Sequence, residues 1–244
     1  MASLRAPVHI RARVGDVAER VLVAGDPGRV DLVASMLSEA RLVSTSRGFN
    51  VYTGFYDGVR VSVVAHGVGG PSASIVFEEL YMLGARVIVR LGTCGSLVES
   101  VDIGDIVIPT GAGYYPGGLY YQYMGEHACA PAAPGFELLK LLVEEASRSN
   151  ARYHLGPVVS SDAFYAEDPQ FALRWSSRGA IAVEMECATL FTLGSIRGFK
   201  AGALLVVSDS LVTWRHATSE ELKETMVKAA LIALNAIKRV AWGS

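Results

Sequence analysis

Apolar residues fall in short, strand-length runs that end at glycine-rich turns, and between these runs they recur at three- and four-residue spacing. Residues 21–24 (VLVA) form such a run and stop at Gly25-Asp26-Pro27-Gly28, a turn signal. Val51–Tyr56 and Val59–Ala65 flank Asp57-Gly58. Asp-Gly suits the positive φ angles of a tight turn, so these two runs predict an antiparallel hairpin. Further strands are expected at 86–91, 105–109, 156–160, 180–185 and 201–208. Helical spacing predicts a helix over 30–37 (VDLVASML) and another from a Ser72 cap to Leu83, with Val76, Leu80 and Leu83 on one face and Gly84 as its stop. It predicts two more over 136–146 and 187–196, and a last one bearing Leu222, Met226, Ala229, Ala233, Ile237 and Val240. Strands alternating with helices imply a single-domain three-layer α/β/α sandwich around a central mixed sheet, spanning residues 1–244.

Composition narrows the class. Of 244 residues, 51% are hydrophobic and 19% charged, which suits a buried core and argues against disorder. The net charge is −2 and no basic block occurs, so a nucleic-acid partner is not expected. The N-terminal stretch MASLRAPVHIRARVGD lacks the apolar run of a signal peptide, and no run approaches the ~18 residues of a membrane span. Cys94, Cys129 and Cys187 are far apart, and none of His9, His66, His127, His154 and His216 pairs at metal-ligand spacing. Neither a disulfide scaffold nor a metal site is expected. These features read as a soluble cytoplasmic protein whose thiols are free by default, with Cys129 in a loop-like region open to an intersubunit bridge under oxidising conditions.

In α/β folds the chemistry sits past the strand ends. Gly25-Asp26-Pro27-Gly28-Arg29 leads into a helix, where backbone N–H groups, the helix terminus and a guanidinium could share an anion; a plain turn with a solvated Arg29 is the rival reading. Arg90 lies inside an apolar strand and is followed by Gly92, Thr93 and Gly95. A buried charge there needs a partner, which could be a phosphate shared with Arg29 or a structural carboxylate. The glycine-rich stretch 66–72 lacks the lysine of a P-loop and reads as a cavity wall. Val183-Glu184-Met185-Glu186 places two acids at alternate positions, suited to sugar hydroxyls or a cationic transition state, or to a helix start. Asp209 ends a very apolar strand and suits a general acid, or a helix cap. Phe164 or Tyr165 could stack on a base or fill the core.

Taken together and in this order, GDPGR (25–29), RLGTCG (90–95), SSDAFY (160–165), VEMECATL (183–190) and VVSDS (206–210) resemble the nucleoside phosphorylase family, over nearly the whole chain. The stretch SSDAFYAED with the following WSSRGAIAVEMECATLF looks closest to its archaeal 5′-methylthioadenosine-cleaving branch. The resemblance implies phosphorolysis of a purine nucleoside, with inorganic phosphate as co-substrate and no metal or organic cofactor. It implies that Gly25, Arg29, Arg90 and Thr93 bind phosphate. It implies that a neighbouring subunit lends His9 near the ribose 5′ end and Arg47 near the phosphate, within a homo-oligomer such as a hexamer built as three dimers. Phe164, Val183, Glu184 and Met185 would line the nucleoside pocket, Glu186 would hold ribose hydroxyls, and Asp209 would serve the purine N7. Uridine-cleaving members carry a Gln and an Arg after the aromatic pair; here the stretch is Ala166-Glu167-Asp168-Pro169-Gln170, without the Arg, and Glu167 could accept from an adenine amino group. Bacterial purine enzymes also carry an Arg beyond the Ser-Asp pair, to which Arg215 does not align clearly. A phosphate-independent nucleosidase, a uridine phosphorylase and a non-catalytic nucleoside-binding module are the alternatives.

Overall fold

The computed structural model describes residues 6–126 and 128–241. Its strands are β1 (Arg20–Ala24), β2 (Ser38–Ser44), β3 (Val51–Tyr56), β4 (Val59–Ala65), β5 (Val87–Ser96), β6 (Ile106–Tyr114), β7 (Tyr153–Ser160), β8 (Ala182–Glu184), β9 (Lys200–Ser210) and β10 (Arg215–His216). Its helices are α1 (Pro27–Ala34), α2 (Gly70–Met82), α3 (Gly118–Met124), α4 (Phe136–Arg148), α5 (Phe171–Ser176), α6 (Cys187–Arg197) and α7 (Ser219–Lys238). The strands form one mixed sheet in the order β10-β9-β6-β7-β8-β5-β1-β4-β3-β2. β5 also pairs with β9, in parallel. The strands β5, β9, β6, β7 and β8 therefore close on themselves into a ring, which no local pattern in the sequence foretells.

Alternation along the strands builds two cores. On β1, Val21 and Val23 face one layer and Leu22 and Ala24 the other; on β9, Leu205 and Val207 oppose Leu204 and Val206. Phe77 and Leu80 of α2 and Leu190 and Phe191 of α6 cover the first face. Val30 and Val33 of α1, Leu138 and Leu142 of α4, and Ala233 and Ile237 of α7 cover the second. This is the three-layer arrangement that period-2 strands and period-3.6 helices dictate. Helix α7 is fastened at its start by a capping box between Thr218 and Glu221. Among the described residues, no helix is long and apolar enough to cross a membrane.

Several expected boundaries move. The helix expected to start at a Ser72 cap begins two residues earlier at Gly70; the Ser72 hydroxyl instead donates to the His66 carbonyl at 2.7 Å, tying the glycine-rich loop to its own helix. The strand expected to close at Leu91 runs on through Gly92–Ser96, because glycine needs no side-chain room and the β9 ladder continues beside it. β2 was not expected, since most of its residues are exposed and show no apolar alternation.

Candidate active site

The first strand end is organised by Asp26. Its carboxylate accepts from the Gly28 N–H at 2.9 Å and caps α1, with Pro27 in the first turn. The helix terminus thus already holds an acid of this chain, which tempers the expectation that its N–H groups are free for an anion. The same geometry aims Arg29 across the turn. Its Nη2 donates to the Thr93 hydroxyl at 3.2 Å, and its Nε lies 3.8 Å from Asp26. Burial lowers the proton affinity of Arg29, Asp26 and Glu186 work against that, and Arg90 adds like-charge repulsion. The two guanidiniums therefore stand close enough to feel each other.

Arg90 projects from β5 toward the α2/α6 layer, on the same side as Ile88. Its Nη2 pairs with Glu186 and lies 3.2 Å from Glu184. Burial opposes the Arg90 charge, but Glu186 and Glu184 outweigh it and hold the guanidinium above its usual range. The structural-carboxylate reading is thus realised within the chain. Yet Arg90 Nε and Nη1 are buried and have no hydrogen-bond partner among the described residues, and such donors are costly to leave unmet. Room for this side chain comes from Gly92, where a Cβ would fall 1.6 Å from Nη1.

The two acids expected to act together divide. Glu184 Oε2 accepts from the Glu186 and Cys187 N–H groups at 2.8 and 2.9 Å, and its Oε1 accepts from Ser160 Oγ. It braces the start of helix α6, as the rival reading had it, and Glu184 still lines the cavity. Glu186 Oε1 accepts from the Gly69 N–H at 2.6 Å. Although burial resists it, Arg90 and that N–H favour the ionised carboxylate. His66, read from sequence as part of a cavity wall, packs edge-on to Phe77 with ring centroids 5.5 Å apart. Burial first, and Arg90 second, push its pKa down to about 3, so the ring is neutral.

Asp209 owes its direction to a β-bulge. Opposite β5 the register steps from Val207 against Cys94 to Asp209 against Gly95, leaving Ser208 as an extra residue. A bulge re-aims the side chains beyond it. The Ser208 hydroxyl donates to Asp209 Oδ1 at 2.7 Å, and Gly95 gives Asp209 space, since a Cβ there would lie 2.7 Å from Oδ2. Asp209 lies within the strand and does not cap a helix. Nearby, Glu167 has a raised pKa, through burial and the Asp209 charge against a hydrogen bond from Ser161. Phe164 is half exposed and meets Tyr165 edge-on.

These groups share one cavity of about 630 Å³. Gly25, Arg29, Arg90, Thr93, Phe164, Glu167, Val183, Glu184, Met185, Glu186 and Asp209 all line it. His9 and Arg47 do not. His9 Nδ1 lies 2.7 Å from Glu79 Oε1, and that carboxylate also accepts the N–H groups of Val8, His9 and Ile10. Arg47 is exposed, adopts φ 56° and lines a separate recess with Arg11 and Ser46. Sequence reasoning missed Leu211, Trp214 and His216, which complete the rim beyond Asp209. An aromatic and a histidine within seven residues of a candidate acid were the available signal. Arg215 does not line the cavity. His127 lies outside the described residues.

Comparison with known proteins gives the family. A curated guanosine phosphorylase of Halorubrum lacusprofundi is 35% identical over 236 residues, covering 94% of this chain and 97% of its own. A DeoD-type purine nucleoside phosphorylase of Caldanaerobacter subterraneus is 39% identical, covering 93% and 98%. The crystal structure of uridine phosphorylase from Vibrio fischeri superposes with a TM-score of 0.87 at 26% identity, covering 98% of this chain and 100% of that one. The family model described as the phosphorylase superfamily matches residues 19–241, and the chain belongs to that superfamily, as a nucleoside phosphorylase.

Proposed function

We propose that the chain cleaves purine nucleosides by phosphorolysis, giving the free base and a ribose 1-phosphate; guanosine, inosine, adenosine and 5′-methylthioadenosine are the candidate substrates. The observation that carries this reading is one cavity lined together by Arg29, Arg90 and Thr93, by Glu186, and by Glu167 and Asp209. Cleavage builds positive charge on the sugar and negative charge on the leaving base, as in glycoside hydrolysis. Phosphate held by Arg29, Thr93 and the unmet N–H groups of Arg90 lies beneath C1′, where its charge supports the cation and its oxygen attacks. Glu186, fixed by Gly69 and Arg90, accepts the ribose hydroxyls. Asp209 gives a proton to N7 as the C–N bond breaks. Glu167, with its raised proton affinity, accepts from a 6-amino group or, protonated, donates to a 6-oxo group. Phosphate is the co-substrate, and no step draws on a metal or organic cofactor. His9 and Arg47 serve a neighbouring subunit's cavity in a homo-oligomer, a hexamer of three dimers.

The test compares the four purine nucleosides and uridine, each with and without inorganic phosphate. Purine cleavage that requires phosphate and yields the sugar phosphate is expected. Cleavage persisting without phosphate makes the enzyme a nucleosidase, and faster turnover of uridine makes it a uridine phosphorylase. In Arg90→Ala, kcat/KM falls by the equivalent of about 2–4 kcal/mol of transition-state stabilisation. Wild-type turnover in that variant removes Arg90 from the mechanism.

A further inference from the structure

Glu79, on α2, is a buried acid whose hydrogen-bond partners lie 69–71 residues away, on the segment 8–10. Its Oε1 accepts from the Val8 and His9 N–H groups, each at 2.9 Å, and its Oε2 from the Ile10 N–H at 2.6 Å. The remaining partner is a side chain: His9 Nδ1 stands 2.7 Å from Oε1. Burial resists the ionised form of Glu79, but the Ile10 N–H, the His9 ring and the His9 and Val8 N–H groups outweigh it and hold the carboxyl below its usual range. A carboxylate offers acceptors only, so the ring hydrogen of a neutral His9 resides on Nδ1. Nε2 is then the nitrogen with the lone pair, and it has no hydrogen-bond partner among the described residues. The His9 side chain is 29% exposed and that of Glu79 is 7% exposed, so the ring keeps the solvent access that its anchor lacks.

We propose that Glu79 is a positioning residue: it holds the His9 imidazole with Nε2 outward, so that the 5′ end of a nucleoside is read as a hydroxyl and a 5′-methylthio group is disfavoured. The inference rests on the purine phosphorolysis proposed above, with His9 serving a neighbouring cavity. A 5′-hydroxyl donates its hydrogen to the Nε2 lone pair, and it accepts from Nε2–H equally well when the ring is charged. A thioether has no hydrogen to give and is a weak acceptor. A site built to bond a hydroxyl keeps an unmet polar group when the analogue lacks one, and it rejects that analogue. Without Glu79 the ring is free to rotate and the segment 8–10 loses its common anchor, so no single nitrogen is presented. Glu79 acts only through His9.

Adenosine, guanosine and their 5′-deoxy and 5′-methylthio analogues, compared under saturating phosphate, separate this role from a structural one. In the wild type, kcat/KM is expected to favour the 5′-hydroxyl over both analogues of the same base by about tenfold or more. In Glu79→Ala that preference falls to within about threefold, through a higher KM for the hydroxyl nucleoside. Cleavage of the 5′-deoxy analogue, which does not use the contact, is the less affected and reports that the variant is folded. His9→Ala shows the same collapse, and adding Glu79→Ala to it lowers the preference no further, as a double-mutant cycle requires of a residue that acts through another. Should Glu79→Ala fail to fold, Glu79→Gln is compared in the same way; its amide keeps the bulk but can donate to Nδ1, and the preference is expected to fall in the same direction. A wild type without the preference, or one that favours the methylthio group, overturns the inference. So do equal losses on the hydroxyl and 5′-deoxy nucleosides in the Glu79 variant, or additive losses in the double variant. A wild type that cleaves none of these nucleosides overturns purine phosphorolysis instead.

Discussion

His66 shows how a single side chain records the character of its surroundings. A neutral imidazole packed against Phe77 and within reach of the Arg90 charge gains a proton only at about pH 3, whereas the unfolded chain takes one near 6.5. The sign follows from linkage: between those values the unfolded state binds more protons, so stability falls as pH drops from about 6.5 toward 3 and levels off below. With a pKa lowered to about 3, the loss reaches at most about 5 kcal/mol. Denaturant midpoints measured from pH 7 to pH 4 should therefore drop more steeply in the wild type than in His66→Leu. Parallel slopes would mean that His66 is protonated inside the fold. Neither the burial of this ring nor its place beside Arg90 is visible in the glycine-rich stretch that contains it; only the meeting of β4, α2 and β5 creates them.

At the scale of elements, two glycines on β5 and one bulge on β9 decide where the charged groups point. Because a Cβ at position 92 would overlap the Arg90 guanidinium, Gly92→Ala must turn that side chain out of its slot. The expected result is a drop in kcat/KM of about 10²–10³, similar to loss of the arginine itself, with a stability cost of about 1–3 kcal/mol from overpacking. Steady-state kinetics beside a melting curve separate the two, and unchanged kinetics would show that the slot is not needed. Strongly patterned elements were legible beforehand: the hairpin around Asp57-Gly58, the apolar strand that carries Asp209, and the amphipathic helix beginning at Phe136. The motifs after the strands named most of the cavity, because glycine and charge at a strand end are local signals. What stayed hidden depends on non-local pairing. β10 has two residues and no pattern, yet it delivers His216; the bulge at Ser208 exists only in register with β5; and the three donors that hold Glu184 come from residues the sequence does not mark as its partners.

On the scale of the whole molecule, the residues that do not reach the cavity matter as much as those that do. Glu79 gathers the N–H groups of Val8, His9 and Ile10 and grips the His9 ring, so the segment is pinned, and His9 does not line its own cavity. If His9 and Arg47 serve a neighbour, Arg47→Ala and Asp209→Asn are each poorly active alone, yet an equimolar mixture allowed to exchange subunits regains activity at about one quarter of its sites. No gain on mixing would confine each cavity to one chain. The closed ring of β5, β9, β6, β7 and β8 adds a last consequence. Arg90 and Thr93 sit on one of its strands and Asp209 on another, and each strand of the ring is laddered on both edges. Neither strand can slide without breaking two ladders, so the span from guanidinium to acid behaves as a fixed gauge. On the proposed reading, a nucleoside lengthened by one methylene between sugar and base would be measured and refused, however well each half fits its own end.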